Sequence, residues 1–219
     1  MIKAAIFDMD GVIVDSEPMH IEAEKRILLK YGVEISADEL RTYTGTTAES
    51  EFADLIRKYG LKTTVDRLFR EKEAVLFDLL EGRTEPTKGV IKLIKSLKQH
   101  GLKLAIASSG HRKLVHYFLR KLKIVSLFDS IVCAEDITRS KPDPEIFLKA
   151  AKNLSLDPAE CVVIEDSTLG VTAAKSAGMK CIAFRNPNSG NQDLSKADLI
   201  IDDFRKLDTQ WRAMKLGSV

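Results

Sequence analysis

The chain has 219 residues, enough to bury a core and to carry a smaller second unit beside it. With 34 Lys and Arg against 32 Asp and Glu, the net charge of +2 gives no whole-molecule reason to expect nucleic acid or a membrane as partner. The N-terminus does not read as a signal peptide, and no apolar run approaches the ~20 residues that span a bilayer. We therefore predict a cytoplasmic monomer that acts on a small molecule.

The first predicted strand, residues 3–9, is followed by a long helical stretch. Residues 16–86 contain no convincing strand, and a single crossover between strands needs far fewer residues. This stretch is predicted to be an all-helical cap domain, joined to the core by flanks at 15–16 and 81–88. Its predicted helices are 18–30, 37–42, 48–58 and 65–80.

From residue 88 onward, short apolar runs alternate with amphipathic patterns. Such alternation is typical of a parallel sheet with helical crossovers. The predicted strands are 102–107, 130–134, 161–164, 180–184 and 198–201; the predicted helices are 89–99, 113–122, 145–154, 169–177 and 204–214. The sequence thus predicts an α/β fold in which residues 1–15 and 87–219 form a Rossmann-like catalytic core. Cys133, Cys161 and Cys181 lie in or beside apolar segments without a CxxC pair, which predicts reduced core thiols.

Polar residues cluster where the predicted strands end. In an open parallel sheet the ligand binds outside the carboxyl ends of the strands, so these residues are expected to share one rim. They are Asp8 and Asp10, Ser108, Lys141, and Glu165 with Asp166. Packed carboxylates repel one another unless a cation neutralises them. Oxygen ligands beside a phosphate site favour Mg²⁺.

The same rim is equipped for phosphoryl transfer. A lysine and a serine supply the positive charge and the hydrogen-bond donor that a phosphoryl group requires. No Ser-His-Asp arrangement competes, so an aspartate is the best-placed nucleophile and would form an aspartyl-phosphate. Of Asp8 and Asp10, one can attack phosphorus while the other protonates the leaving oxygen and then activates water.

Four segments carry a resemblance to a known family. FDMDGVIVDSEP, IASSG, KPDPEIF and VIEDSTLGVTAAKSAGM are similar to the four ordered motifs of the haloacid dehalogenase superfamily, and the match spans nearly all of the predicted core. The branch that it most resembles carries a helical cap after the first motif and includes β-phosphoglucomutase and many sugar-phosphate phosphatases. Dehalogenases and phosphonatases lack an aspartate at the position of Asp10, so the resemblance implies phosphate-ester chemistry.

The resemblance implies a role for each matched residue. Asp8 becomes the nucleophile, and Asp10 becomes the general acid and base. The implied phosphate-binding residues are Ser108, Ser109 and Lys141. The implied Mg²⁺ ligands are Asp8, the backbone carbonyl of Asp10 and Asp166, with Glu165 as a further ligand or as a support behind them.

The cap leaves two activities open. His20 matches a histidine that gates the acid/base aspartate in β-phosphoglucomutase, which favours a mutase. Ala48 lies in the cap loop that also holds Gly45, a candidate substrate contact. By the resemblance, the mutase has at this position an arginine that binds a second phosphate. Arg112 could partly replace that charge. We predict hydrolysis of a small phosphate monoester, such as a sugar phosphate, with a phosphosugar mutase as the alternative and a metal-stabilised binding module as a non-enzymatic third hypothesis.

Overall fold

A parallel sheet of six strands forms the centre of the molecule. The structure is a computed structural model that describes residues 1–80 and 84–207. The strand order is β3-β2-β1-β4-β5-β6. Their bounds are β1 Ala4–Phe7, β2 Lys103–Ala107, β3 Ser130–Val132, β4 Cys161–Glu165, β5 Lys180–Phe184 and β6 Leu199–Ile201. All six predicted strands are confirmed, and so is the Rossmann-like fold class with its inserted helical cap.

The strand β1 lies inside the sheet and pairs with β2 on one side and β4 on the other. Ala4 is level with Lys103 and with Cys161 in the two ladders. All four residues of β1 are buried, as expected for a central parallel strand that is covered on both faces. Because parallel strands end at one edge, the residues after β1 and β4 meet there.

Four helices cover the two faces of the sheet. They are α5 Val90–Gln99, α6 Arg112–Lys121, α7 Glu145–Asn153 and α8 Thr168–Ser176. Side chains of a strand alternate between faces, and the core divides accordingly. Phe7 belongs to the apolar cluster that contains residues of α5 and α6, whereas Ile6 belongs to the cluster that contains residues of α7 and α8.

Four further helices between β1 and β2 form the cap and have their own apolar cluster. They are α1 Glu17–Lys30, α2 Ala37–Leu40, α3 Ala48–Tyr59 and α4 Val65–Leu80. The Ser36 and Thr47 side chains accept hydrogen bonds from backbone N–H groups at the start of α2 and α3. Gly60 ends α3 in the left-handed conformation that favours glycine.

The two connections between cap and core lie side by side. Val14 forms an isolated antiparallel bridge with Pro86, and Thr87 N–H donates to the Ile13 carbonyl at 2.9 Å. The predicted domain boundaries, after residues 15 and 86, stay a prediction, and residues 81–83 of the second flank lie outside the described residues. Of the predicted helix 204–214, Phe204–Lys206 forms a 3₁₀ turn, while residues 208–214 are not among those described.

The cysteines are free and buried, which confirms their prediction as reduced core thiols. Among the described residues, no helix combines the length and apolar character needed to cross a membrane.

Candidate active site

A buried lysine joins two carboxylates at the carboxyl edge of the sheet. Asp8 follows β1, and its backbone N–H donates to the Ile164 carbonyl at 2.9 Å. The Lys141 ammonium donates to Asp8 Oδ1 at 2.7 Å and to Glu165 Oε1 at 2.6 Å. Lys141 is 2% exposed and Glu165 is fully buried. The segment after β3 is thus held against the ends of β1 and β4.

Backbone donors fix the two acidic residues at the end of β4. Glu165 is the last residue of β4, not the first after it as the sequence suggested. Its Oε2 accepts from the backbone N–H groups of Asp166 and Ser167, each at 2.7 Å, and from Ser167 Oγ at 2.9 Å. Asp166 Oδ2 accepts a short hydrogen bond from Ser189 Oγ, in the loop after β5. Both carboxylates are therefore oriented before any ligand binds.

Two glycines make room for these carboxylates. A Cβ at Gly11 would lie 1.9 Å from Asp166 Oδ2, and one at Gly170 would lie 1.7 Å from Glu165 Oε1. Gly11 also has a φ of +79°, in the region that only glycine adopts without strain. Neither position can take a larger residue without moving a carboxylate.

The charge at this edge is unbalanced. Asp8, Glu165 and Asp166 offer oxygens that all lie within 4.8 Å of one another, against the single ammonium of Lys141. Burial raises the pKa of Asp8 to about 7 even though Lys141 opposes it, and burial with the nearby carboxylates raises the pKa of Asp166. Burial lowers the pKa of Lys141, but Asp8 and Glu165 outweigh it and leave that pKa raised.

This donor set fits a divalent cation. Three carboxylates and one ammonium, if all are ionised, carry a net charge of about −2, which a divalent ion would cancel. The donors are all oxygens, as hard cations prefer. The described part of the chain therefore contains a buried group of carboxylates that could hold a divalent metal.

Asp10 lies in a different environment from Asp8. Its Oδ1 accepts a short hydrogen bond from Ser16 Oγ and is 3.4 Å from His20 Nε2. Burial raises the pKa of Asp10, but contacts with His20, Ser16 and the more distant Lys72 outweigh it and hold the pKa below its usual value. The two aspartates, two residues apart, thus have opposite pKa shifts.

The loop after β2 connects the core to the cap. Ser108 is fully buried, and its Oγ accepts from the Gly110 backbone N–H at 3.0 Å. Ser109 Oγ donates to the Gly45 carbonyl in the cap at 2.8 Å. Gly45, with a φ of +91°, approaches so closely that a Cβ there would lie 2.7 Å from Ser167 Oγ. The cap is therefore closed against the core at Gly45.

A cavity of about 110 Å³ lies between cap and core. Six of the ten predicted site residues line it, namely Asp8, Asp10, His20, Gly45, Ser109 and Asp166. Ser108 is buried next to Gly110, which does line the cavity, and Lys141 and Glu165 lie behind Asp8. The structure brings nine of the ten residues to one place.

Arg112 is the exception. It does not line the cavity, and its guanidinium Nη2 donates to Asp136 Oδ2 at 2.6 Å. The neighbouring His111 lines the cavity instead, with Nε2 2.5 Å from Glu49 of the cap and Nδ1 3.2 Å from Glu135 of the core. The cation expected from Arg112 is thus paired outside the cavity in this closed arrangement.

Sequence reasoning missed several residues at this site. Ser189 follows β5, so an inventory extended to that strand would have included it. Lys72 and Glu51 line the cavity from the cap, where the sequence indicated only amphipathic helices. A signal for Lys72 was present, because it occupies the buried face of α4 at a spacing of four from Leu68 and Leu76.

Comparison with known proteins identifies the family. Residues 5–184 match the model of the haloacid dehalogenase-like hydrolases, and the chain belongs to this family. It is 32% identical to validoxylamine A 7'-phosphate phosphatase of Streptomyces hygroscopicus subsp. limoneus, over 94% of this chain and 96% of that protein. It is 35% identical to the phosphorylated carbohydrates phosphatase of Thermotoga maritima, over 83% of this chain and 84% of that protein.

Among solved structures, the fold is similar to a crystal structure of β-phosphoglucomutase from Clostridium difficile. The TM-score is 0.88 at 29% identity, over 99% of this chain and 97% of that one. The predicted resemblance is thereby confirmed. The chain is an enzyme of the haloacid dehalogenase-like hydrolase family, with phosphatases of phosphorylated compounds and mutases among its relatives.

Proposed function

We propose that this protein is a Mg²⁺-dependent phosphatase that hydrolyses a small phosphate monoester, such as a sugar phosphate, through an aspartyl-phosphate. The observation that carries the proposal is the buried cluster of Asp8, Glu165 and Asp166 with Lys141, two of whose carboxylates, Asp8 and Asp166, line a small cavity between cap and core. Such a cluster suits a divalent ion and a phosphoryl group together. The similarity to two named phosphatases supports the same class of reaction.

Asp8 and Asp166, with the Asp10 backbone carbonyl and Glu165 in support, would hold the ion. Bound there, Mg²⁺ supplies positive charge that offsets the charge of the phosphate oxygens. Lys141 donates to Asp8 and Glu165, so it orients the Asp8 carboxylate and favours its anionic form against the burial that raises its pKa. Ser108 has a hydroxyl proton that can be donated to a phosphate oxygen.

In the first step, an Asp8 carboxylate oxygen attacks phosphorus, and the bond between phosphorus and the ester oxygen breaks. Asp10 gives a proton to the departing alcohol. In the second step, the Asp10 carboxylate takes a proton from water, whose oxygen attacks phosphorus and releases Asp8 and inorganic phosphate. Ser16 and His20 lower the pKa of Asp10 in the free enzyme, so Asp10 would take up its proton as the negative charge of a bound phosphate ester raises that pKa.

Closure of residues 16–86 over the core would exclude bulk water during the first step. The contact of Ser109 with Gly45 supports this role for the cap. Opening would then release the alcohol and admit water.

A second candidate, a phosphosugar mutase, is favoured by two observations. His20 Nε2 lies 3.4 Å from Asp10, where it can gate the acid/base carboxylate, and the fold is similar to that of a β-phosphoglucomutase. In that reaction a sugar hydroxyl, not water, would take the phosphoryl group from Asp8.

One experiment tests both candidates. Phosphate release is measured for a panel of sugar phosphates with Mg²⁺ and with EDTA, and β-glucose 1-phosphate with a trace of glucose 1,6-bisphosphate is followed by phosphorus NMR. We expect Mg²⁺-dependent free phosphate. Formation of glucose 6-phosphate without free phosphate would establish the mutase activity. The absence of any reaction with any ester would refute both candidate activities.

A further inference from the structure

The cap side of the cavity carries an excess of carboxylates. Helices α1, α3 and α4 present four glutamates and one lysine to it: Glu17, Glu24, Glu51, Glu73 and Lys72. This wall faces the part of a substrate that extends from the phosphate into the cap. Its charge therefore bears on which alcohol portion the enzyme accepts.

The Lys72 ammonium already has carboxylate partners within the protein. It forms a short ion pair with Glu24 and lies 3.7 Å from Glu51 Oε2, and the residue is 7% exposed. Glu73 is likewise paired, 2.8 Å from Lys113. An anionic group of a substrate would thus meet carboxylates before it met a free cation on this wall, and like charges at such distances repel.

Glu51 offers an acceptor that no described residue satisfies. Glu51 is 6% exposed, and its Oε1 is buried without a hydrogen-bond partner among residues 1–80 and 84–207. His20 Nε2, on the same cavity, is also buried without a well-formed hydrogen bond, although Asp10 Oδ1 lies 3.4 Å away. Buried polar atoms are normally hydrogen-bonded, so an unpaired acceptor at a cavity wall points to a donor supplied by the ligand.

The acceptor character of Glu51 does not depend on its charge. Burial raises the pKa of Glu51 to about 8, with Glu24 adding to the effect and Lys72 opposing it. When Glu51 is protonated, the proton can be carried by Oε2 and donated to Glu24, which leaves Oε1 as an acceptor. A hydroxyl or an ammonium can donate to that oxygen, whereas a second phosphate or a carboxylate offers acceptors only.

We propose that the cap selects phosphate esters whose alcohol portion donates a hydrogen bond to Glu51 and carries no second anionic group. This inference rests on the proposed phosphatase function and narrows its substrate class. It assigns Glu51 as a specificity residue, held in place by Lys72, and it disfavours a sugar bisphosphate as an occupant of the cavity.

The first test compares substrates on the unmodified enzyme. Values of kcat/KM are measured for three- to six-carbon monophosphates and, within the hexose series, for glucose 6-phosphate, glucosamine 6-phosphate, 6-phosphogluconate and glucose 1,6-bisphosphate. We expect the two anionic analogues to react at least about tenfold less well than the better of the first two. The ratio of glucosamine to glucose 6-phosphate reports whether ammonium or hydroxyl is the preferred donor. A best substrate with a second phosphate or a carboxylate would overturn the proposal.

The second test replaces the acceptor. In Glu51→Met, a side chain of similar length without oxygens removes the acceptor. We expect KM for the best uncharged sugar phosphate to rise about tenfold and the penalty on glucose 1,6-bisphosphate to shrink. The matched control is Glu71→Met on α4, because the Glu71 carboxylate binds Tyr31 and Arg67 outside the cavity and its loss should leave both values unchanged.

A substrate without donors separates this proposal from the proposed function. Hydrolysis of p-nitrophenyl phosphate needs the core residues but no hydrogen bond to Glu51, so its kcat/KM should fall much less in Glu51→Met than that of the sugar phosphate and should be unchanged in Glu71→Met. Retained hydrolysis also shows that Glu51→Met is folded. If p-nitrophenyl phosphate is hydrolysed but the Glu51 variant discriminates among sugar phosphates as the unmodified enzyme does, the role of Glu51 alone is refuted. If neither p-nitrophenyl phosphate nor any other ester is hydrolysed, the proposed phosphatase function is refuted.

Discussion

Two buried lysines face carboxylates on the two sides of the cavity, and their surroundings differ. Lys141 joins Asp8 to Glu165 where strands of the core end, while Lys72 pairs with Glu24 inside the helical cap. In the core cluster, backbone N–H groups donate to the Glu165 carboxylate, and glycines leave space for the carboxylates. The cap cluster is held by side chains alone among the contacts described, and it leaves one carboxylate oxygen unpaired.

The difference indicates how the two regions divide their work. Carboxylates at the ends of parallel strands are fixed by the sheet itself, which suits chemistry that tolerates little displacement. Charges on helix faces can be exchanged without disturbing the sheet, which suits recognition of different alcohols. Changes in the core should therefore affect all esters, and changes in the cap should affect some esters more than others.

The largest expected effect is that of Asp8→Asn. The amide is a far weaker nucleophile and a poorer metal ligand, so hydrolysis of every ester should fall by at least about 10⁴-fold while the fold is kept. Mass spectrometry after incubation with substrate should show no phosphoryl adduct. Asp202→Asn, which removes an exposed partner of Lys206, is the control and should change activity less than about twofold. A phosphorylated Asp8→Asn protein would contradict the assignment.

The lysines themselves provide the next comparison. Lys141→Met leaves Asp8 and Glu165 without their shared cation, and Lys72→Met does the same to Glu24; each should lower the free energy of unfolding by about 3–5 kcal/mol at pH 7. The loss in Lys141→Met should shrink at pH 5, because Asp8, whose pKa is about 7 even beside the lysine, is then protonated.

Activity is expected to separate these two variants. Lys141→Met should lose hydrolysis of p-nitrophenyl phosphate and sugar phosphates alike, whereas Lys72→Met should lose chiefly the sugar phosphates. Denaturant unfolding at both pH values and kcat/KM for both substrates are the measurements. Equal loss of p-nitrophenyl phosphate hydrolysis in the two folded variants would break the distinction between core and cap.

A pair of glycines tests the same distinction sterically. Gly11 and Gly32 have nearly the same φ, +79° and +78°, but a Cβ would meet Asp166 at Gly11 and nothing within 4 Å at Gly32. Alanine at either position should cost about 1–2 kcal/mol of unfolding free energy through backbone strain. Only Gly11→Ala should also weaken Mg²⁺ binding, measured by calorimetry, and with it activity. Normal Mg²⁺ affinity in Gly11→Ala would show that Asp166 is not a ligand.

The sheet was predictable because its strands are short apolar runs between polar turns. β5 has the predicted bounds, Lys180–Phe184, and α4 has the predicted bounds, Val65–Leu80. Element ends were less certain where a polar residue continues a strand. The sequence predicts that β4 ends at Ile164, but Glu165 is its last residue in the structure, where Lys141 and two backbone donors bind its carboxylate.

The core half of the site was predictable for the same reason, since topology alone brings strand ends together. The cap half was not. Glu51 and Lys72 lie on different helices, and their contact depends on how α3 packs against α4, which periodicity does not specify. Arg112 shows the opposite error: the sequence predicts a substrate contact, but the guanidinium pairs with Asp136.

The smallest expected effect concerns His111, which lies between the two regions. Its ring contacts Glu49 of the cap and Glu135 of the core and packs against Phe69 at 4.0 Å between ring centroids. The hydrogen bond to Glu49 raises the pKa of His111 above 6.5, against burial that lowers it, with Glu135 adding to the increase. Protonation lets both ring nitrogens donate, so the imidazolium should hold the cap closed.

The direction of the pH dependence of stability follows from the raised pKa of His111. The stabilising contribution of His111 should be complete below pH 6.5, the value for the unfolded chain, and should disappear as the pH rises through the higher pKa of the folded state. Because the ring is only half buried, the contribution should stay below about 1 kcal/mol. Unfolding free energies of the unmodified protein and His111→Gln should therefore differ at pH 6 and converge near pH 9, with His100→Gln, an exposed histidine of the core, as control. A difference that grows with pH would show that His111 is neutral in the closed state and that the cap is held by other contacts, such as that of Ser109 with Gly45.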